Sequence, residues 1–170
     1  MGTSNAPSDN ELSLLSVRVG EALLQRRQKV VLAESCTGGY VAKLLTDIPG
    51  SSAWFDFGLV TYSNESKERC LGVSVATLTE HGAVSEAVVL EMAAGALSLG
   101  QAQCAVSISG IAGPDGGTAR HPVGDVWLAL ARRRAGGAVQ AVAVHRHFSG
   151  SRDEIRRQAA AVALMLLLEE

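Results

Sequence analysis

Lys29-Val30-Val31-Leu32-Ala33-Glu34-Ser35-Cys36-Thr37-Gly38-Gly39 runs from an apolar, partly β-branched segment directly into a polar turn that ends in two glycines. Residues 29–34 read as a short buried strand, because the run is apolar and too brief for a core helix. Residues 40–48 (YVAKLLTDI) read as a helix stopped by Pro49-Gly50. A strand that passes through a tight turn into a helix points to an α/β sheet.

The rest of the chain extends this pattern. Upstream, Leu12, Leu15, Val19 and Leu23 recur at helical spacing and predict an amphipathic helix over 10–28. Residues 1–9 are small and polar and are expected to form a flexible tail. Downstream, 53–63 is aromatic and β-branched and reads as a strand. Asn64 is the expected N-cap of a short helix that stops at Gly72, and a second short helix follows at 76–81. Ser85 can cap a longer apolar helix, 86–100, which leads to a strand at 104–109. Residues 110–124 form a long Gly/Pro loop, and loops of that length in compact domains usually carry function. Strands at 126–133 and 139–148, joined across Ala135-Gly136-Gly137, read as an antiparallel pair. A helix over 151–168 closes the chain. The expected fold is a three-layer α/β/α sandwich around a mixed, mostly parallel sheet, with one domain over 10–170.

Composition narrows the function. Of 170 residues, 47% are hydrophobic and 19% charged, enough apolar material for a core. Lys+Arg is 15 against Asp+Glu 17, so nothing in the charge favours a nucleic-acid backbone. No apolar stretch is long enough to span a membrane, and the N-terminus lacks the basic and apolar regions of a signal peptide. Cys36, Cys70 and Cys104 form no CxxC pair and fit free thiols in a reducing cytoplasm.

Three polar clusters follow inferred strands, where open α/β sheets place ligands. In the first, Ser35 lies where backbone N–H groups at a helix start can hold an oxyanion, and Gly38 and Gly39 let a substrate approach the backbone. Ser35 and Thr37 could equally just cap the helix. In the second, Tyr62 ends a strand and Lys67 lies in a helical first turn. The positive helix end lowers the pKa of a Lys there, and burial lowers it further, so a neutral Lys67 can serve as base toward a Ser hydroxyl. A solvated Lys67 and a core Tyr62 are the plain alternative. The third cluster, Ser109-Gly110-Ile111-Ala112-Gly113, has no P-loop signature; it can form an anion-binding nest or a flexible surface loop. His145 and His147 face one side of a strand, but no further zinc ligand is placed with them. Arg152 and Arg156 share one helix face and can bind an anion or pair with Asp153 and Glu154.

The segments AESCTGG (33–39), GLVTYSNESK (58–67), HGAVSE (81–86), SISGIAGPDGG (107–117), HPVGDVW (121–127) and FSGSRDEIRRQ (148–158) together resemble the nicotinamide-nucleotide amidohydrolases, the stand-alone form of the CinA C-terminal domain. The resemblance implies hydrolysis of the carboxamide of nicotinamide mononucleotide in pyridine-nucleotide recycling, with no metal and no cofactor. It implies Ser35 as nucleophile, with Lys67 and Tyr62 as its partners in a hydrogen-bonded relay. It also implies a substrate site lined by Thr37, Gly38, Gly39, Ser109, Gly110, Gly113 and Arg152. Many relatives carry a further N-terminal domain, for which 170 residues leave no room. Two positions depart from the family pattern: His121 stands where a Lys is usual, and Ser151 where an acidic residue is common. The expected setting is a cytoplasmic homo-oligomer, with apolar helices such as 86–99 offering an interface and neither nucleic acid nor membrane as partner. A catalytically weak nucleotide-binding or regulatory domain of the same fold is the alternative. An enzyme acting on a nucleotide pyrophosphate ranks lower, because no acidic cluster is placed to hold Mg²⁺.

Overall fold

The structure, a computed structural model, describes residues 6–169. The elements follow in the order α1 (Asp9–Arg26), β1 (Val30–Glu34), α2 (Tyr40–Thr46), β2 (Phe55–Val60), α3 (Asn64–Leu71), α4 (Val75–His81), α5 (Glu86–Leu99), β3 (Cys104–Gly110), β4 (Asp125–Arg133), β5 (Val139–His147) and α6 (Arg152–Leu168). The five strands form one sheet in the order β2-β1-β3-β4-β5. β1 pairs in parallel with both β2 and β3, and the β3–β4 and β4–β5 ladders are antiparallel. β4 alone therefore runs against the other strands, which is the mixed, mostly parallel sheet expected.

Each face of the sheet has its own core. On one side Val30, Leu32, Val106, Ile108 and Leu128 meet side chains of α1, α2 and α6, such as Leu12, Val41 and Leu164. On the other, Val31, Ala33, Ala105 and Ala129 meet α5 through Val89, Met92, Ala93 and Ala96. Successive strand residues thus alternate between two buried faces, which is why the strands read as continuous apolar runs instead of alternating ones. One face of α5, with Val88, Val89, Met92, Ala93 and Ala96, is buried, while Leu99 at its end is exposed. Leu14 and Leu24 of α1 are exposed as well. No helix among the described residues is long and apolar enough to cross a membrane.

Several boundaries differ from expectation for local reasons. Ser8 caps α1 in a reciprocal bond with Glu11, and Asp9 is already helical, while residues 1–5 of the expected tail lie outside the described residues. α1 ends two residues early, at Arg27 in the left-handed conformation. β2 starts only at Phe55, because a 3₁₀ turn (Ser51–Ala53) precedes it. Ser63, extended and bonded reciprocally to Ser66, caps α3 in place of Asn64, which is already helical.

The topology fixes where a site can form. From β1 the chain passes through α2 to β2 on one side, then through α3, α4 and α5 to β3 on the other. The C-terminal end of β1 is therefore a topological switch point, the place where open α/β sheets bind ligands. α3 is held beside it by α5: a Cβ on Gly95 would collide with the Leu71 carbonyl. Gly95→Ala is expected to cost roughly 1–3 kcal/mol in urea unfolding, because the added methyl cannot be absorbed by a backbone carbonyl. A change within error would show that α3 and α5 are not packed this way.

Candidate active site

Ser35 is the first residue past β1. Its N–H donates to the Ile108 carbonyl of β3 at 2.9 Å, and its carbonyl accepts from Gly38 N at 3.0 Å. Gly38 and Gly39 take φ of +59° and +88°, which lets the chain turn sharply into α2. The capping alternative for Ser35 and Thr37 does not hold. The Thr37 hydroxyl is buried with no hydrogen-bond partner among the described residues, and Gly39, the N-cap, has no side chain to offer. The Glu34 carboxylate caps α2 instead, accepting from the N–H groups of Gly39, Val41 and Ala42. Within the turn, the N–H groups of Cys36 and Thr37 donate to no oxygen among the described residues.

Lys67 is the fourth residue of α3, and its side chain points back across the first turn, as helical side chains do. That direction carries Nζ into the interior, where the residue is 1% exposed. Nζ lies 3.0 Å from Ser35 Oγ, 2.8 Å from the Thr61 carbonyl and 3.5 Å from the Tyr62 carbonyl. None of the ion pairs formed among the described residues includes it. Burial pushes its pKa below the ordinary 10.5, opposed only by the neighbouring Cys36. A neutral amine has two N–H groups and one lone pair. In that form, N–H groups directed to the two carbonyls would leave the lone pair for the Ser35 hydroxyl. Burial also pushes the adjacent Cys36 thiol up to about 12, so Cys36 stays protonated at neutral pH and does not compete as a nucleophile.

Ser35 and Lys67 open into a cavity of about 180 Å³, bordered by Val84, Ser109, Ile111, Tyr62 and Arg152. Tyr62 lies two residues beyond β2, at the rim, and is 60% exposed. Its phenol accepts from Arg152 at 3.0 Å and makes no hydrogen bond to Ser35 or Lys67. The phenol thus faces Arg152, while the carbonyls of Thr61 and Tyr62 turn inward to Lys67. Arg152 also donates to the Gly113 carbonyl at 2.7 Å, tying the glycine loop to Tyr62. The Ser109 hydroxyl donates to the Ala83 carbonyl at 2.8 Å and so fastens the approach to α5. A Cβ at Gly110 would press on the Asp125 carbonyl, so this strand end requires glycine. Arg156 holds the Thr37 carbonyl at 2.7 Å.

The histidines form a separate cluster. His145 Nε2 lies 2.8 Å and His121 Nδ1 3.2 Å from the buried Asp125 carboxylate, and His147 faces the same group at 3.7 Å. Burial raises the pKa of Asp125, but the hydrogen bonds from His145 and His121 more than offset this and hold it below the ordinary carboxylate range. No metal-holding group of three or more His, Cys, Asp or Glu side chains forms among the described residues. The other departure, Ser151, caps α6 in a reciprocal bond with Glu154.

Glu34, Cys36 and Arg156 carry this geometry and are absent from the site expected from sequence. Glu34 had a visible signal: a carboxylate ends an apolar run just before a helix whose cap position is glycine. Arg156 and Asp125 act across distances of 119 and 20 residues, which no local pattern records.

Lys67 also predicts a pH-dependent stability. Its pKa is lower in the folded protein than in the unfolded chain, so the unfolded chain binds more protons between the lowered value and 10.5. Stability then rises with pH across that window and is lost as pH falls through it. Lys67→Met is expected to melt above wild type on the acid side, with the gap closing as pH rises through the lowered pKa toward 10.5. A gap independent of pH would contradict the lowered pKa.

Comparison with known proteins bears on this geometry. Residues 13–170 match the CinA C-terminal domain. The chain is 56% identical over 163 residues to the nicotinamide-nucleotide amidohydrolase PncC of Escherichia coli (strain K12), covering 96% of both chains. It is 46% identical over 158 residues to the protein of that name from Pseudomonas putida, covering 93% of this chain and 96% of that one. Among solved structures, a competence/damage inducible protein from Agrobacterium tumefaciens superposes with a TM-score of 0.86 at 43% identity over 98% of each chain.

Proposed function

The chain belongs to the CinA C-terminal domain family, and from that premise we propose that it is a nicotinamide-nucleotide amidohydrolase. The reaction converts the carboxamide of nicotinamide mononucleotide to the acid and releases ammonia. The observation that carries the reading is a buried, uncompensated Lys67 Nζ 3.0 Å from Ser35 Oγ at the switch point of the sheet.

In this mechanism neutral Lys67 accepts the Ser35 proton as Oγ attacks the carboxamide carbon. The N–H groups of Cys36 and Thr37 receive the oxyanion, since those of Gly38 and Gly39 are engaged elsewhere in the turn. The Lys67 ammonium returns the proton to the leaving nitrogen, and ammonia departs. Water, deprotonated by Lys67, then cleaves the acyl-enzyme and regenerates Ser35. No step requires a metal or a cofactor. Tyr62 and Arg152 act at the rim, where the guanidinium can meet the substrate phosphate. Thr37, Gly38, Gly39, Ser109, Gly110 and Gly113 shape the walls. The enzyme serves pyridine-nucleotide recycling in the cytoplasm, as a homo-oligomer.

The test is ammonia release from nicotinamide mononucleotide by Ser35→Ala and Lys67→Ala. Each is expected to lose on the order of 10³-fold or more in kcat. Near-wild-type turnover in either variant would sink the assignment. Nucleotide binding without ammonia release by the wild-type protein would favour the regulatory alternative. Activity should also fall as pH drops through the lowered pKa of Lys67, because protonation removes the base. A profile flat down to about pH 5 would contradict that role.

A further inference from the structure

Glu34 is 1% exposed and takes no part in the steps above. Oε2 accepts from Gly39 N at 3.0 Å and Val41 N at 3.2 Å, and Oε1 accepts from Ala42 N at 2.8 Å. The first N–H groups of a helix have no intrahelical acceptors and are usually met by the N-cap side chain. Here the N-cap must be glycine, because its φ is +88°. The last residue of β1 therefore supplies the cap from outside, and its charge also suits the positive end of the helix.

This places Ser35 between fixed points. The residue before it is locked to the start of α2, its own N–H is locked to β3, and its carbonyl receives Gly38 N. Because Glu34 holds Gly39 N and Ser35 holds Gly38 N, the free donors of the turn are those of Cys36 and Thr37. The same carboxylate thus anchors the residue before Ser35 to the start of α2 and takes Gly39 N out of the turn's free donors.

We infer that Glu34 is a positioning residue: it clamps the turn over 35–39 so that Ser35 Oγ meets Lys67 Nζ and the Cys36 and Thr37 N–H groups stay open. The inference rests on the reading of Ser35 as nucleophile. Charge and reach both matter. Glutamine keeps the shape but turns an NH₂ toward at least one of the three donors, and aspartate keeps the charge but withdraws the carboxylate by one methylene.

The test is steady-state kinetics of Glu34→Gln with nicotinamide mononucleotide, run beside Ser35→Ala, with amide hydrogen exchange read by NMR. In Glu34→Gln the amides of Gly39, Val41 and Ala42 should exchange faster while those of β1 and β3 stay protected. Its kcat should fall on the order of 10- to 100-fold with KM within about threefold of wild type, since the reacting groups are misplaced while the pocket walls remain. Faster exchange at those amides with unchanged kcat would overturn the positioning role, as would a rise in KM with kcat retained. If Glu34→Gln does not fold, Glu34→Asp is read by the same criteria. Loss of activity in Ser35→Ala with none in the Glu34 variant refutes this inference alone. Retained activity in Ser35→Ala refutes the nucleophile reading and this one with it.

Discussion

The site depends on the burial of one amine without a carboxylate beside it. Lys67 Nζ is enclosed by Ser35 Oγ and two backbone carbonyls, and burial holds its pKa down. Placing an amine there is unfavourable for folding in its charged form, and a surface Lys would carry no such penalty. In the proposed mechanism the penalty is the source of the chemistry: an amine that readily loses its proton can take one from a serine hydroxyl. The fold supplies the enclosure. α3 starts right after β2, so its first turn faces the end of β1, and Gly95 of α5 allows the close packing that holds it there.

The turn after β1 is built with equal economy of parts. The last two residues of β1 and the one after it have distinct tasks: Ala33 packs against α5, Glu34 caps α2, and Ser35 faces Lys67. The glycines that follow serve the turn's backbone conformation first, and their N–H groups are taken up within it. The fastenings around the cavity are side chain to backbone, with Ser109 on Ala83, Arg152 on Gly113 and Arg156 on Thr37. They tie together segments far apart in sequence and give a small cavity defined walls.

Much of this was legible in the sequence. The apolar run over 29–34 and the glycine turn gave the central strand and the switch point, and Lys67 was recognisable from its awkward place in a helical first turn. Its burial was not, because that depends on Ser63 capping α3 and on the side chain reaching back to Thr61 and Tyr62. The contacts of Tyr62 are hidden for a similar reason: sequence places the residue beside the site but does not say that its carbonyl faces Lys67 and its ring faces Arg152. The histidines were legible as a pair on one strand face. Their shared carboxylate, Asp125, belongs to the neighbouring strand and became visible only with the β4–β5 register.

The most direct measurement of the central claim is peptide mass mapping after rapid acid quench of the enzyme mixed with nicotinamide mononucleotide. The account predicts a transient ester carried by Ser35, formed before ammonia release is complete and lost with product formation. An adduct on the neighbouring Cys36, or ammonia released in a burst with no ester on Ser35, would contradict it.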